Sequence, residues 1–303
     1  MIPDFQSIML PFLKNIQDEK EYSTSEIIEI LTREFNLTED ELEEYLPSGS
    51  QKTFYNRVFW AKAHLKMAGL IINLRRGIFK ITKEGIDVLK KNPEKINLKL
   101  LKQFPIYLES VGKQKEENLE KDTDTENEIT STPEEILESN YVKIRKNLAL
   151  ELLTKVKTCS PSFFENLVVE LLVKMGYGGS IKDAGKSIGK SGDEGIDGII
   201  KEDKLGLDII YIQAKRWENV VGRPEIQKFV GALAGQGAKK GVFITTARFT
   251  NEAKEYQPRN ETKIVLIDGE HLADLMIEYD LAVSTSNQYI IKRIDNDYFE
   301  EIN

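Results

Sequence analysis

The chain has 303 residues, 40% hydrophobic and 30% charged, with a formal net charge of −8. This is the composition of a soluble globular protein with room for two domains. No apolar run approaches the roughly 18 residues of a membrane span, and MIPDFQSIMLPFLKN has neither a basic n-region nor a small-residue cleavage site, so a cytoplasmic protein is expected.

A single cysteine, Cys159, excludes an internal disulfide and a cysteine-rich zinc site. The two histidines, His64 and His271, stand in unrelated segments without HExxH or HNH-like neighbours, so any metal should be a hard cation held by oxygen ligands. The net charge conceals a strong asymmetry. Residues 1–49 carry 3 Lys+Arg against 12 Asp+Glu, and residues 50–103 carry 13 against 3. Residues 104–140 carry 3 against 11, and residues 141–303 carry 23 against 24. One strongly basic block lies inside an acidic chain, the footprint of a phosphate-binding surface.

In chain order, DFQSIMLPFLKNIQD and TSEIIEILTREF space their apolar residues for two helices, the second with Ser23, Thr24 and Ser25 as candidate caps. A third helix follows LPSGS. Phe54, Val58, Ala61, Leu65 and Ala68 form its packing stripe, and Lys52, Asn56, Lys62 and Lys66 fall largely elsewhere. GLIINLRRGIFKIT predicts a hairpin whose turn carries Arg75, Arg76 and Gly77, and KEGIDVLKKN predicts a closing helix. Three helices with a basic hairpin form a winged-helix pattern over residues 1–103. Such a basic helix fits the major groove of a duplex, and an Arg-tipped hairpin reaches its phosphates or minor groove. Lys52, Asn56, Lys62, Lys66, Arg75 and Arg76 are the candidate DNA contacts, against the alternative that they are a solvated surface.

Residues 104–140, including VGKQKEENLEKDTDTENEITSTPEEILESN, are acidic and lack sustained apolar periodicity, which predicts an extended linker. The second domain, 141–303, opens with a helical stretch to Val156 and a helix from Pro161, capped by Ser160. After a Gly- and Lys-rich loop, GIDGII and GLDIIYIQAKRW predict paired strands. RPEIQKFVGALAG (helix), KGVFITTARF (buried strand), FTNEAKEY (helix), TKIVLIDG (strand) and EHLADLMIEYD (helix) complete an α/β alternation.

Asp197 is expected within the first strand of that pair, leading into its hairpin, and Gln213 and Lys215 lie two residues apart on its neighbour, hence on one face. A carboxylate and an amide oxygen suit Mg²⁺, with Mn²⁺ able to substitute, and an ammonium stabilises charge developing on a phosphate. This is equipment for phosphodiester hydrolysis, although D followed by QxK is a weak signal by itself. Lys215 gains weight from following the apolar run IIYI, where an unpaired charge is costly. On the helix FENLVVELLVKM, Glu165 lies at the margin of the buried stripe and Glu170 beside Asn166 and Lys174, which favours Glu165 as the metal-side carboxylate. Asp193 and Glu194 are second-choice ligands, more simply read as a solvated turn. Gly185-Lys186-Ser187 and Gly189-Lys190-Ser191 imitate the end of a phosphate-binding loop but lack its preceding glycine. Thr245 and Thr246 are expected to make local hydrogen bonds.

FENLVVELLVKMGY, GDEGIDGII, DIIYIQAKRW and GVFITTARFTNEA together resemble the catalytic domain of the Mrr restriction endonuclease family. LPSGSQKTFYNRVFWAKAHLKMAGLI and RRGIFKITKEG likewise resemble its N-terminal winged-helix domain. The resemblance implies a PD-(D/E)XK nuclease core, a mixed sheet flanked by helices, with Asp197, Gln213 and Lys215 at the motif positions and a helix carboxylate completing the site. It also implies type IV-like restriction of foreign, methylated duplex DNA. Gln213 departs from the acidic residue of the wider superfamily, though glutamine is usual in the Mrr branch, and the lost charge raises the value of Glu165. Cleavage of both strands suggests a homodimer or higher homo-oligomer. A DNA-binding regulator with an inactive core, and a nuclease for branched DNA or RNA, are the competing readings.

Overall fold

In the computed structural model, the described residues are 1–111, 130–178, 196–203, 206–256, 258 and 261–292. The linker core 112–129, the Gly- and Lys-rich loop with both Gly-Lys-Ser triplets, and Asp193 and Glu194 lie outside them. The chain divides into two units, Met1–Ile144 and Arg145–Asn303.

The N-terminal unit begins with α1 (Phe5–Asn15), started by the Asp4 side chain, which accepts from the Gln6 and Ser7 amides. A capping box of Ser23 and Glu26 starts α2 (Thr24–Glu34), directly after the short β1 (Tyr22–Ser23). There follow α3 (Glu39–Leu42), α4 (Thr53–Met67), the hairpin β2 (Ile71–Arg75) and β3 (Ile78–Ile81), and α5 (Lys83–Lys90). The three strands pair antiparallel in the order β1-β3-β2. Gly77, at φ +71°, makes the hairpin turn that a residue with a Cβ adopts only under strain. The α4 stripe packs as its spacing predicts: Phe54, Val58, Ala61 and Leu65 are buried with Phe12, Leu31 and Phe79.

The stretch expected to be linker is shorter than 104–140. It contains α6's successor α7 (Pro105–Val111), where α6 is Leu98–Leu101, and the start of α8 (Pro133–Thr158). Tyr107 explains the first departure, since it is buried and its hydroxyl lies 2.9 Å from His64 Nδ1. A capping box explains the second. The Thr132 amide donates to Glu135 and the Glu135 amide to the Thr132 hydroxyl, with Pro133 at the first helical position. The division between the units falls inside α8.

The C-terminal unit contains the remainder of α8, then α9 (Pro161–Lys174), β4 (Gly198–Lys201), β5 (Ile209–Lys215), α10 (Arg223–Gly235), β6 (Lys240–Thr245), α11 (Asn251–Lys254), β7 (Lys263–Ile267) and α12 (Gly269–Glu278). The sheet order is β4-β5-β6-β7, antiparallel between β4 and β5 and parallel thereafter. Ile210, Ile212 and Ala214 of β5 bury themselves with Leu167 and Val168 of α9 and Leu272 and Met276 of α12. Tyr211 packs on the opposite cluster, formed by Phe229 of α10 with Phe243 and Phe249. This is the expected α/β class with a mixed sheet flanked by helices.

Candidate active site

Asp197 sits one residue before β4, where the antiparallel ladder with β5 begins. Its amide donates to Ile212 O at 2.8 Å, and its Oδ2 accepts the Ala214 amide at 2.8 Å. The carboxylate thus takes the place of a strand carbonyl at the ladder's end, and a backbone N–H fixes it there. Lys215, the last residue of β5, brings Nζ to 3.4 Å from the same Oδ2. Both side chains are mostly but not fully buried, a setting in which the pair is weakly screened yet reachable by a ligand.

Gln213 is buried and shares with Lys215 the β5 face opposite Ala214. Glu165, on the first turns of α9, is half-buried, while Glu170 is exposed. Burial is the main cause holding the Glu165 carboxyl above its ordinary range; the Asp197 charge adds to this and Lys215 partly opposes it. The helix therefore delivers Glu165 into the field of the Asp197–Lys215 pair. Two carboxylates in one neighbourhood, with an amide oxygen on the same strand as the lysine, suit a hard divalent cation that completes its shell with water and phosphate oxygens. Among the described residues no group of three or more His, Cys, Asp and Glu side chains could hold a metal.

The end of β5 is braced by residues whose part depends on the fold. Thr245 Oγ1 donates to Lys215 O at 2.8 Å and Thr246 Oγ1 to Trp217 O at 2.7 Å; these bonds reach 30 and 29 positions along the chain rather than staying local as expected, and they hold the end of the strand carrying the lysine. Arg216 reaches the other way and donates to Lys157 O, near the C-terminus of α8, at 2.6 Å. Its contact with Lys157, 59 positions away, has no local sequence signature.

In the N-terminal unit the structure redistributes the expected DNA contacts. Lys66, Arg75 and Arg76 are exposed, with Phe59 exposed on α4 near them in sequence. Lys52 is paired with Glu43 at 2.6 Å, and Arg75 lies 3.4 Å from Glu21. Lys62 is half-buried over the Phe79 ring and donates to Thr24 Oγ1. Burial, reinforced by Lys66, lowers its pKa to about 8. Asn56 does not lie on an open face: it is buried, accepts from the Thr132 hydroxyl at 2.6 Å and donates to Gln51. Its position opposite the α4 core stripe predicts exposure, and a residue 76 positions away covers it.

The mixed sheet carries an acid, an amide and a lysine near one strand end, with a helix carboxylate in the field of the acid and the lysine. The family comparisons identify the protein as a restriction endonuclease. Residues 156–276 match the family model described as a restriction endonuclease, and residues 5–91 match the Mrr N-terminal domain. The chain is also 37% identical over 306 aligned positions to the type IV methyl-directed restriction enzyme EcoKMrr of Escherichia coli (strain K12), with 99% of each protein covered. The chain belongs to the Mrr restriction endonuclease family. Nucleases of this kind act on DNA and generally use divalent metal ions. Among the described residues no helix is long and apolar enough to cross a membrane.

Proposed function

We propose that this chain cleaves foreign duplex DNA bearing methylated bases in the cytoplasm, with Mg²⁺ as the working cation and Mn²⁺ as a substitute. The observation that carries the reading is the Asp197–Lys215 pair at 3.4 Å with the Glu165 carboxyl raised beside it. Methyl direction rests on the E. coli relative's description. Asp197, Glu165 and the Gln213 side-chain oxygen would hold the cation; when bound, it supplies Lewis-acid polarisation of the phosphate and a lowered pKa for the attacking water.

Lys215 places its ammonium where charge develops on the phosphate, and the Asp197 carboxylate keeps that ammonium aimed. The Ala214 amide in turn holds Asp197, so the backbone of β5 orients both members of the pair. Cutting both strands calls for two such sites, which a homodimer or higher oligomer supplies. Incubating methylated and unmodified plasmids with the protein and Mg²⁺, Mn²⁺ or EDTA tests the reading. Cutting is expected for methylated plasmid with either cation and for neither plasmid in EDTA; equal cutting of unmodified plasmid would remove the methylation clause.

The N-terminal unit is read as a winged-helix duplex binder because its order is helix, strand, helices and a hairpin joined in one sheet, with Lys66, Arg75 and Arg76 exposed. Residues 1–144 alone should bind duplex DNA with an affinity that falls at least about tenfold between roughly 50 and 200 mM salt, as two phosphate contacts suffice for that slope. An affinity flat across that range, measured by fluorescence anisotropy, would contradict a phosphate-led interface.

A further inference from the structure

Within the N-terminal unit, residues 132–138 lie against α4 and the loop before it, and their acidic groups take up donors there. Glu135 accepts from Arg57 Nε at 2.8 Å, and Glu134 accepts from the Trp60 indole N–H. Glu138 reaches the loop ahead of α4. Its Oε2 accepts the Ser48 amide at 2.8 Å, and its Oε1 lies 2.7 Å from Ser48 Oγ. Ser48 Oγ is also 2.7 Å from Ser50 Oγ, and accepts the Ser50 amide at 3.2 Å. The Ser48 hydroxyl therefore donates to the carboxylate and accepts from the Ser50 amide.

These contacts differ in kind. The Arg57–Glu135 pair is largely buried, and Arg57 also donates to the Ile2 and Pro3 carbonyls, so it anchors the start of α8. The Glu138 contact is exposed, engages no positive side chain among the described residues, and uses one backbone N–H and one hydroxyl. Both donors are of the type that holds DNA phosphate oxygens. The loop also introduces the helix expected to face DNA, inside the basic block 50–103. An exposed, neutral-donor contact is of low strength, so a competing phosphate delivered by a duplex already held elsewhere has the advantage of effective concentration.

We infer that Ser48, through its amide and hydroxyl, is a DNA-phosphate site that the Glu138 carboxylate occupies in this structure, so that duplex binding displaces Glu138. The inference rests on reading the N-terminal unit as the duplex binder. It assigns Glu138 the part of an intramolecular phosphate mimic that lowers affinity for duplexes and raises the threshold for stable engagement.

The test is fluorescence anisotropy with the full-length protein, a labelled duplex and EDTA to prevent cutting. Glu138→Ala should tighten binding about three- to tenfold, a coupling of ordinary size for competing ligands. Glu84→Ala, which removes an exposed charge from α5, should give a smaller gain and so measures the general effect of lost negative charge. Adding Ser48→Ala to Glu138→Ala should abolish most of the gain. Binding that is unchanged, weaker, or improved no more than by Glu84→Ala overturns the inference. So does a Glu138→Ala variant that melts at lower temperature without binding tighter, which would make the residue a structural staple. The triple variant Lys66→Ala, Arg75→Ala, Arg76→Ala separates the two readings: weaker binding there keeps the duplex-binder reading whatever Glu138 does, and unchanged binding removes it.

Discussion

Replacing Lys215 by alanine should reduce DNA cleavage by at least about a hundredfold while leaving duplex affinity within about twofold, since the ammonium acts on charge that exists only in the transition state. Loss of one preorganised stabilising group typically costs two to three orders of magnitude in rate. Lys215→Arg should not restore activity. The guanidinium is planar and larger, and Lys215 projects from a strand end whose carbonyl is held by Thr245 Oγ1 and whose Nζ meets Asp197 Oδ2 at 3.4 Å. Parallel measurement of single-turnover cleavage in Mg²⁺ and of binding in EDTA checks both halves. Cleavage within tenfold of the native rate would remove Lys215 from the chemistry. A matched loss of binding and cleavage would instead give it a share of ground-state DNA binding.

Much of the fold follows from short-range pattern. The α4 stripe, the hairpin at Arg75 to Gly77 and the β5 run all form where apolar period and turn chemistry place them. What pattern misses is cover supplied from far along the chain. Asn56 stands opposite a well-defined core stripe, yet Thr132 buries it, and no periodicity within α4 encodes that contact. The Thr132-Pro133-Glu134-Glu135 capping box was available as a helix-start signal, but the surrounding acidic composition pointed to a linker. At the site, two-residue alternation puts Gln213 and Lys215 on one face, whereas the Ala214 amide that holds Asp197 depends on the β4–β5 register. Periodicity on α9 singles out Glu165 at the edge of the buried stripe, but only the packing of α9 against β5 shows which charges lie within its reach.

Glu165 and Glu170 occupy one helix and should respond oppositely to the same substitution. Glu165 is half-buried and its carboxyl is raised by burial first and by Asp197 second; Glu170 is exposed. In the metal-free protein a raised carboxyl favours its protonated form. Its contribution to stability is therefore fully present at low pH and is lost as pH rises from the ordinary glutamate value through the raised one. Glu165→Gln removes that loss, so in EDTA at neutral pH the variant should melt at a temperature no lower than the native protein. In cleavage the sign reverses. A cation recruits the ionised carboxylate in competition with the proton, so at a fixed, limiting Mg²⁺ concentration native cleavage should fall as pH drops through the Glu165 titration. Glu165→Gln should abolish that step and raise the Mg²⁺ requirement at least about tenfold, the effect typical even of groups one layer removed from a metal. Glu170→Gln should change neither the melting temperature in EDTA nor the Mg²⁺ requirement by a measurable amount, as its surface position implies. Cleavage titrated against Mg²⁺ at several pH values, with melting curves in EDTA, tests the assignment in two independent ways. A Glu165→Gln protein that melts lower and cuts normally would make Glu165 a packing residue of α9, and a metal defect in Glu170→Gln would transfer the ligand role one turn along the helix.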